Sequence, residues 1–269
     1  MRTAGLDIGS RSVELVVVEA RSGAVVSAQE VETTPALRED CRRLLAEASY
    51  DRLLVTGYGR NLAEIAFDAP SVTEIKAYAR GARAVLDECR VVLDIGGQDT
   101  KAIALDGEGR VDRFEMNDRC AAGAGRFLEM MASALGCSIE EFGEEGLRGE
   151  NGIHLSTMCA VFAESEVVGL ITRGARRPDI ARAVHRAIIR RTVAMLSRVS
   201  REGPLVFAGG AARNRCLVLL LEEEIGGRVF VPERPEMLGA LGAALLAAEA
   251  IPAGPRSDRG RERRRPPLA

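Results

Sequence analysis

A four-residue segment, Leu-Asp-Ile-Gly, occurs twice in this chain, and the elements that follow it come in the same order both times. The first copy is residues 6–9 and the second is residues 93–96. In each copy an apolar strand ends in Asp, a glycine turn follows, and second and third strands run back and forth. A repeat of this length indicates a duplicated supersecondary unit rather than a solenoid. Two unrelated hairpins that share a tetrapeptide are the alternative, but they leave the common order unexplained.

The rest of the chain alternates between predicted helices and strands, which predicts an α/β fold. Helices are predicted over residues 35–49, 75–89, 121–136, 159–174, 178–200 and 236–250. Further strands are predicted within residues 51–60, 205–214 and 228–233.

The bulk composition argues against several classes of protein. The formal net charge of −2 over 269 residues gives no sign of a nucleic-acid partner. No apolar run approaches the ~20 residues that cross a bilayer, and the chain shows no charged-then-apolar leader. We therefore expect a soluble cytoplasmic protein without a membrane partner. Residues 251–269 are rich in Pro, Gly and Arg, so we expect a disordered basic tail.

Three glycine-rich turns follow predicted strands: DIGS at residues 7–10, DIGGQD at 94–99 and AGGAARN at 208–214. Glycine lets a backbone approach a phosphate and point its N–H groups at it. The aspartates that end the first two strands suit magnesium, which prefers carboxylate and water oxygens. Tight turns without a ligand are the alternative, although the third turn lies between a strand and a helix. Together the three turns favour a phosphate-binding site.

Two of the six cysteines, Cys120 and Cys159, begin predicted helices. A helix N-terminus carries partial positive charge and favours a thiolate or an anionic metal cluster. Two thiolates are too few for a [4Fe–4S] cluster, which takes four, but two identical chains supply four. This arithmetic suggests a cluster on a twofold axis between two copies of the chain. Burial as small apolar residues is the alternative, and spacing alone leaves it open.

The three turns resemble the phosphate and adenosine motifs of the superfamily that contains acetate and sugar kinases, actin and heat-shock chaperones. DIGS resembles the first phosphate motif, DIGGQD the second, and LVFAGGAARN the adenosine motif. The resemblance implies a duplicated α/β fold with two lobes, residues 1–88 and 89–250, that clamp ATP and Mg²⁺ between them. Such lobes open and close with the state of the nucleotide.

Six segments occur in one order: TGYGRN, DIGGQDTK, NDRCAAGAGRFLE, CAVFAESEV, AGGAARN and GALGAAL. Together they resemble the activator ATPases of 2-hydroxyacyl-CoA dehydratases, in the family that includes the ATPase subunits of benzoyl-CoA reductase. The likeness implies that Cys120 and Cys159 ligate one oxygen-sensitive [4Fe–4S] cluster shared by a homodimer. It also implies that a reduced ferredoxin or flavodoxin supplies one electron, which ATP hydrolysis helps to deliver to the dehydratase component.

These motifs identify the residues expected to act on the nucleotide. Asp94 and Gln98 are candidates to orient the attacking water, and Glu164 is a weaker candidate. The residues expected to bind ATP and magnesium are Asp7, Gly9, Ser10, Arg11, Ser12, Gly96, Gly97, Asp99, Lys101, Gly209, Gly210 and Asn214. The first turn of the family usually ends in Lys where this chain has Glu14, and this difference puts a lysine–phosphate contact there in doubt.

The sequence leaves three other functions open. An ATPase subunit of a benzoyl-CoA reductase-type enzyme would pair with a different chain. A small-molecule kinase of the same fold would phosphorylate a metabolite without iron. A regulatory nucleotide switch would also lack iron. The partner enzyme sets the choice of acyl-CoA, so no residue of this chain specifies it.

Overall fold

The structure, a computed structural model, describes residues 1–119, 123–155, 159–200 and 202–250. The strands of its first sheet are β1 (Arg2–Ile8), β2 (Ser12–Glu19), β3 (Val25–Glu32) and β4 (Arg52–Thr56). They lie in the order β3-β2-β1-β4. β1 pairs antiparallel with β2 and parallel with β4, so the chain crosses over the sheet between β3 and β4.

The second sheet repeats this arrangement and adds one strand at its edge. Its strands are β5 (Val91–Ile95), β6 (Thr100–Leu105), β7 (Val111–Asn117), β8 (Leu205–Ala208) and β9 (Val229–Phe230). They lie in the order β7-β6-β5-β8-β9. β5 pairs antiparallel with β6 and parallel with β8, as β1 does with β2 and β4. Both predicted copies of the repeat therefore form, each in a sheet of its own.

Nine α-helices lie within the described residues, and six of them were predicted from apolar spacing. The nine are α1 (Leu37–Glu47), α2 (Arg60–Phe67), α3 (Glu74–Val85), α4 (Gly125–Ala134), α5 (Ile139–Arg148), α6 (Ala160–Thr172), α7 (Arg177–Val199), α8 (Arg215–Ile225) and α9 (Leu238–Glu249). The prediction missed α2, α5 and α8. A signal existed for α5, because the Ser138 hydroxyl accepts from the Glu141 backbone in a capping box that the sequence shows as S-x-x-E.

The duplication extends beyond the two hairpins. Asp7 lies opposite Thr56 in the parallel β1–β4 pair, and Asp94 lies opposite Ala208 in the β5–β8 pair. A glycine with positive φ and then a helix follow each parallel strand, α2 in the first half and α8 in the second. The repeated unit is therefore a three-stranded meander, a crossover, a parallel strand and a helix.

Two helices, α3 and α9, pack between the sheets and join the two halves. α9 lies against β1, β2 and β4, whereas α3 contacts both α9 and the second sheet. Apolar side chains of α3, including Tyr78 and Ala82, share one core with Val92 and Ile103 of the second sheet. The last described helix, α9, therefore completes the core of the first sheet. The lobe boundary between residues 88 and 89 stays a prediction.

The crossing of α3 and α9 requires a residue without a side chain at Gly242. A Cβ atom there would lie 1.8 Å from the Ala77 carbonyl oxygen, which belongs to the backbone of α3. Gly242→Ala should therefore force the helices apart and lower the free energy of unfolding by about 1–3 kcal/mol. Gly227→Ala is the control, because nothing lies within 4 Å of that Cβ position. Urea unfolding of both variants tests this, and equal stability would show that α9 does not pack as described.

Candidate active site

The two repeated aspartates lie near the ends of the corresponding strands β1 and β5, one in each sheet, and a glycine lies against each of them. Gly57 follows β4 with φ of +97°, and Gly209 follows β8 with φ of +81°. A Cβ on Gly57 would lie 2.4 Å from Asp7 Oδ1, and a Cβ on Gly209 would lie 2.4 Å from Asp94 Oδ1. These positions need glycine for backbone conformation and for space. The arrangement also explains the TGYGRN segment, whose first glycine is the first-half counterpart of Gly209.

The first and second phosphate turns touch each other. A Cβ on Gly97 would lie 3.0 Å from Arg11 Cβ and 3.1 Å from Ser10 Oγ. The fold thus brings DIGS and DIGGQD together, although 83 residues separate the end of one segment from the start of the other. Gln98 is exposed at the tip of the second turn.

A buried lysine joins three carboxylates beside the second turn. Lys101 Nζ lies 2.7 Å from Asp99, 2.9 Å from Asp94 and 3.0 Å from Glu74. Burial alone would lower the pKa of Lys101, but the three carboxylates outweigh it and hold that pKa well above its usual value. Glu74, in the first turn of α3, was not among the predicted site residues. Glu74 does not belong to any recognised sequence motif, so only the packing of α3 identifies it as part of the site.

Asp94 keeps a free acceptor in this cluster. Its Oδ2 accepts from Lys101, whereas its fully buried Oδ1 has no hydrogen-bond partner among the described residues. Burial raises the pKa of Asp94 to about 6, and Lys101 opposes that rise. A buried acceptor that ionises near neutral pH suits a general base or a ligand of magnesium-bound water. The prediction of a catalytic Asp94 remains a prediction, and this geometry is compatible with it.

Glu14 occupies the position in the first half that Lys101 occupies in the second. Glu14 lies opposite Asp7 across β1 and β2, and Lys101 lies opposite Asp94 across β5 and β6. Burial raises the pKa of Glu14 to about 8, although a hydrogen bond from the Ser12 hydroxyl opposes that rise. Burial and then Glu14 raise the pKa of Asp7 well above its usual value. The first half therefore holds an acid pair where the second half holds an ion pair.

The third glycine turn leads through a 3₁₀ turn, Gly210–Arg213, into α8. Asn214 Oδ1 accepts from the N–H groups of Cys216 and Leu217, at 3.0 and 3.3 Å, and so caps α8. Its Nδ2 lies 2.9 Å from His185 Nε2, and His185 Nδ1 lies 2.7 Å from the Ala181 carbonyl. His185 must therefore donate through Nδ1 and accept from Asn214 through Nε2. The amide of Asn214, predicted to bind nucleotide, is occupied by these contacts.

A cavity of about 530 Å³ opens beside the same 3₁₀ turn. Its lining includes apolar side chains from α5, α8 and the segment after β9, and charged side chains at its rim. The apolar members are Leu147, Ala212, Val218, Leu219, Val231, Pro232 and Pro235. An opening of this size and composition suits a flat heterocycle such as adenine.

The structure describes one of the two predicted cluster ligands. Cys120 lies outside the described residues. Cys159 is exposed at the N-cap of α6, and its carbonyl accepts from the Ala163 N–H at 2.8 Å. Glu164 is exposed on the same helix. Burial raises the pKa values of the other described cysteine thiols, to about 11 for Cys41 and Cys89 and to about 12 for Cys216, with Cys137 also raised.

Three hydrogen bonds tie the second phosphate turn to the segment that follows Cys120. The Gly125 N–H donates to the Gly96 carbonyl at 2.8 Å, and the Arg126 N–H donates to the Gly97 carbonyl at 2.9 Å. Thr100 Oγ1 donates to the Gly123 carbonyl at 2.6 Å. The first N–H groups of α4 are thus held by the turn itself.

The sequence profile of the BadF/BadG/BcrA/BcrD ATPase family matches residues 4–247. The chain belongs to this family. It is therefore an ATPase that binds ATP and Mg²⁺ in an actin-like, two-lobed α/β fold, as the resemblance predicted. No helix within the described ranges is long and apolar enough to cross a membrane.

Comparisons with individual proteins agree with this membership and with this fold. The chain is 35% identical to the 2-hydroxyisocaproyl-CoA dehydratase activator of Clostridioides difficile, over 92% of this chain and 95% of that protein. The structure of that activator with bound ADPNP superposes with a TM-score of 0.84, covering 93% and 95% of the two chains. A subunit of the benzoyl-CoA reductase of Thauera aromatica is 32% identical over 91% of this chain and 93% of its own length. A glucokinase from Streptomyces griseus, 15% identical and covering 93% of this chain and 100% of its own, shares the fold with a TM-score of 0.60.

Lys101→Met should be strongly destabilising. The substitution leaves Asp94, Asp99 and Glu74 without their shared cation, and removing one partner of a buried ion pair costs about 3–5 kcal/mol. Lys76→Met is the control, since Lys76 is exposed on the same α3 that carries Glu74. Chemical unfolding measures the difference, and equal stability of the two variants would contradict the role given to Lys101.

His185 should make stability depend on pH. Burial lowers the pKa of His185 from 6.5 to about 4, so the folded protein keeps its imidazole neutral. Between these values the unfolded chain binds a proton that the folded chain does not. The contribution of His185 is therefore complete above pH 6.5 and is lost as the pH falls toward 4. The stability advantage of wild type over His185→Gln should shrink by ~3 kcal/mol from pH 7 to pH 4.

Gln at this position can still accept from Asn214 but does not titrate. Denaturant unfolding at several pH values measures the advantage, and His154→Gln, at an exposed site, is the control with no expected change of slope. An advantage of wild type that stays constant over this range would contradict the neutral, buried His185.

Proposed function

We propose that this ATPase activates a 2-hydroxyacyl-CoA dehydratase by delivering one electron from a [4Fe–4S] cluster that two copies of the chain share. The proposal depends chiefly on the hydrogen bonds between the second phosphate turn and the segment after Cys120. These bonds join the proposed phosphate-binding turn to residues 123–126, which follow the proposed ligand Cys120 closely in the sequence. A change at the turn can therefore move that segment without a long relay of side chains.

We place the phosphates and Mg²⁺ between the two Asp-Gly turns, at the junction of lobes 1–88 and 89–250. The residues proposed to bind them are Asp7, Gly9, Ser10, Arg11, Ser12, Gly96, Gly97, Asp99 and Lys101. Asp94 is proposed to accept the proton of the attacking water through its unpartnered Oδ1. Gln98, exposed at the tip of the turn, is proposed to orient that water.

We place the adenosine in the cavity beside Gly209 and Gly210. Gly209 has a positive φ, and the 3₁₀ turn begins at the next residue. Asn214 is proposed to shape this pocket by capping α8, because its amide is already engaged by Cys216, Leu217 and His185. The apolar lining then packs against the faces of the base.

Cys120 and Cys159 are the proposed cluster ligands. Cys159 fits this role, because it is exposed at the start of a 13-residue helix whose first turn has no acidic residue. The N–H groups of such a helix end favour an anionic group. When bound, the cluster would supply a one-electron carrier. The chain's own residues would hold it, orient it toward the partner enzyme and shield it through the apolar surface around Cys159.

The surface next to Cys159 supports a homodimer. α6 exposes three large apolar side chains: Phe162 is 66% exposed, Val168 48% and Ile171 41%. Phe162 follows Cys159 by three residues and so lies within about one helical turn of it, whereas Val168 and Ile171 lie further along α6. Exposed apolar side chains of this kind commonly mark a protein interface. A twofold axis near Cys159 would cover Phe162 and bring four cysteines together.

The proposed partners are the dehydratase component and a reduced ferredoxin or flavodoxin as electron donor. Thiolate ligands and low-potential donors require a reducing compartment, so we propose that the protein works in the cytoplasm. An electron-activating subunit of a benzoyl-CoA reductase-type enzyme is the second candidate. The 32% identity to the Thauera aromatica reductase subunit supports it. Obligate co-purification with other subunits would favour this second candidate over a stable homodimer.

Iron analysis tests the proposal. Protein purified without oxygen should be a dimer with about four iron and four acid-labile sulfide atoms, as one [4Fe–4S] cluster requires. Cys120→Ser and Cys159→Ser should each lose the iron while the chain still folds. Cys137→Ser is the matched control and should keep it, because this thiol is half-buried and donates to the Ala132 carbonyl. An iron-free, air-stable monomer that hydrolyses ATP would reject the activator function.

A further inference from the structure

Arg11 lies in the first phosphate turn, and its side chain reaches across the second turn to α4. Arg11 Nε is 3.0 Å from Glu129 Oε1. The same Arg11 contributes the Cβ that lies closest to the Cβ position of Gly97. Glu129 lies on α4 three residues after Arg126, whose N–H donates to the Gly97 carbonyl. The ion pair therefore connects the first turn to the helix that the second turn holds.

The ion pair between Arg11 and Glu129 is weak enough for a stronger anion to replace Glu129. The Arg11 side chain is 56% exposed and that of Glu129 is 42% exposed, and ion pairs in contact with water stabilise a protein little. A nucleotide phosphate carries more negative charge than one carboxylate and offers two oxygens to the planar guanidinium at once. A phosphate between the turns is therefore a stronger partner for Arg11 than Glu129 is.

We propose that Glu129 is a positioning residue, which holds Arg11 on α4 in the nucleotide-free protein and releases it to the phosphates of bound ATP. Binding of ATP then exchanges a carboxylate partner for a phosphate partner and breaks the contact between the first turn and α4. The inference deepens the proposed nucleotide site and rests on the placing of phosphates between the two turns. Through Arg11, nucleotide binding at the first turn would act directly on α4.

The chain contains a control for this role. Glu32 Oε1 lies 3.8 Å from the same guanidinium, and its side chain is 78% exposed. Glu32 thus contributes a similar charge at a similar place but a weaker contact. An effect of charge alone would be shared by Glu32 and Glu129, whereas an effect of the ion pair would belong mainly to Glu129.

The test is the dissociation constant for ATP, measured on the full chain with Mg²⁺. Glu129→Gln frees Arg11 and should tighten ATP binding about twofold to fivefold, the range that a weak ion pair allows. Arg11→Gln should weaken it about tenfold or more. In the Arg11→Gln background, Glu129→Gln should have no effect. Glu32→Gln should change binding less than Glu129→Gln, and Glu129→Asp, which keeps the charge but shortens its reach, should lie between wild type and Glu129→Gln.

Two further readouts separate positioning from a structural role. Adenosine, which has no phosphate, should bind wild type and Glu129→Gln equally. In steady-state hydrolysis Glu129→Gln should lower KM for ATP and leave kcat nearly unchanged. Unchanged or weaker ATP binding in Glu129→Gln, or equal tightening in the Arg11→Gln background, would overturn the exchange. Unchanged ATP binding in Arg11→Gln would overturn it together with the placing of the phosphates, whereas the iron analysis tests the cluster separately.

Discussion

The rest of the site depends on the ion pairs that the buried ammonium group of Lys101 makes with three carboxylates. This group lies within 3.0 Å of carboxylates from the second phosphate turn, from β5 and from α3. A lysine this deeply buried is tolerable only when it is paired, so the three acidic residues must stay close to it. Because α3 also packs against α9, the network anchors the β5–β6 hairpin to the helices between the two sheets. The same pairing leaves Asp94 Oδ1, the oxygen proposed to accept a proton, without a hydrogen-bond partner among the described residues.

The two halves share a backbone plan but differ in charge, and this difference separates their roles. Asp94 faces a cation across its hairpin, whereas Asp7 faces Glu14. Burial keeps much of the acid pair protonated near neutral pH, while Lys101 allows Asp94 to ionise at a lower pH. A general base must be ionised to accept a proton, so the second half is the better site for this chemistry. The two halves thus share one geometry, and the residue opposite the aspartate, Glu14 in one half and Lys101 in the other, makes them unequal.

The second phosphate turn and α4 are joined through the backbone rather than through a chain of side chains. The carbonyl groups of Gly96 and Gly97 accept from the first turn of α4, so the turn and the helix must move together. Arg11 adds a contact from the first lobe that is weak enough to be exchanged. In the proposed activator this arrangement would convert the state of the nucleotide into a displacement of the segment that follows Cys120 in the sequence.

The sequence by itself determined the duplicated hairpins, six of the nine described helices and the family. These features are local: period-2 and helical apolar spacing, glycine at turns, and short motifs in one order. It did not identify α2 or α8, which both directly follow glycine-containing turns. Only the tertiary structure decided that α9 covers the first sheet, that Gly57 matches Gly209, that Glu74 belongs to the Lys101 cluster and that Arg11 reaches Glu129. Each of these relations involves residues far apart in sequence. Three-dimensional packing determines which of them come together, and local residue patterns do not.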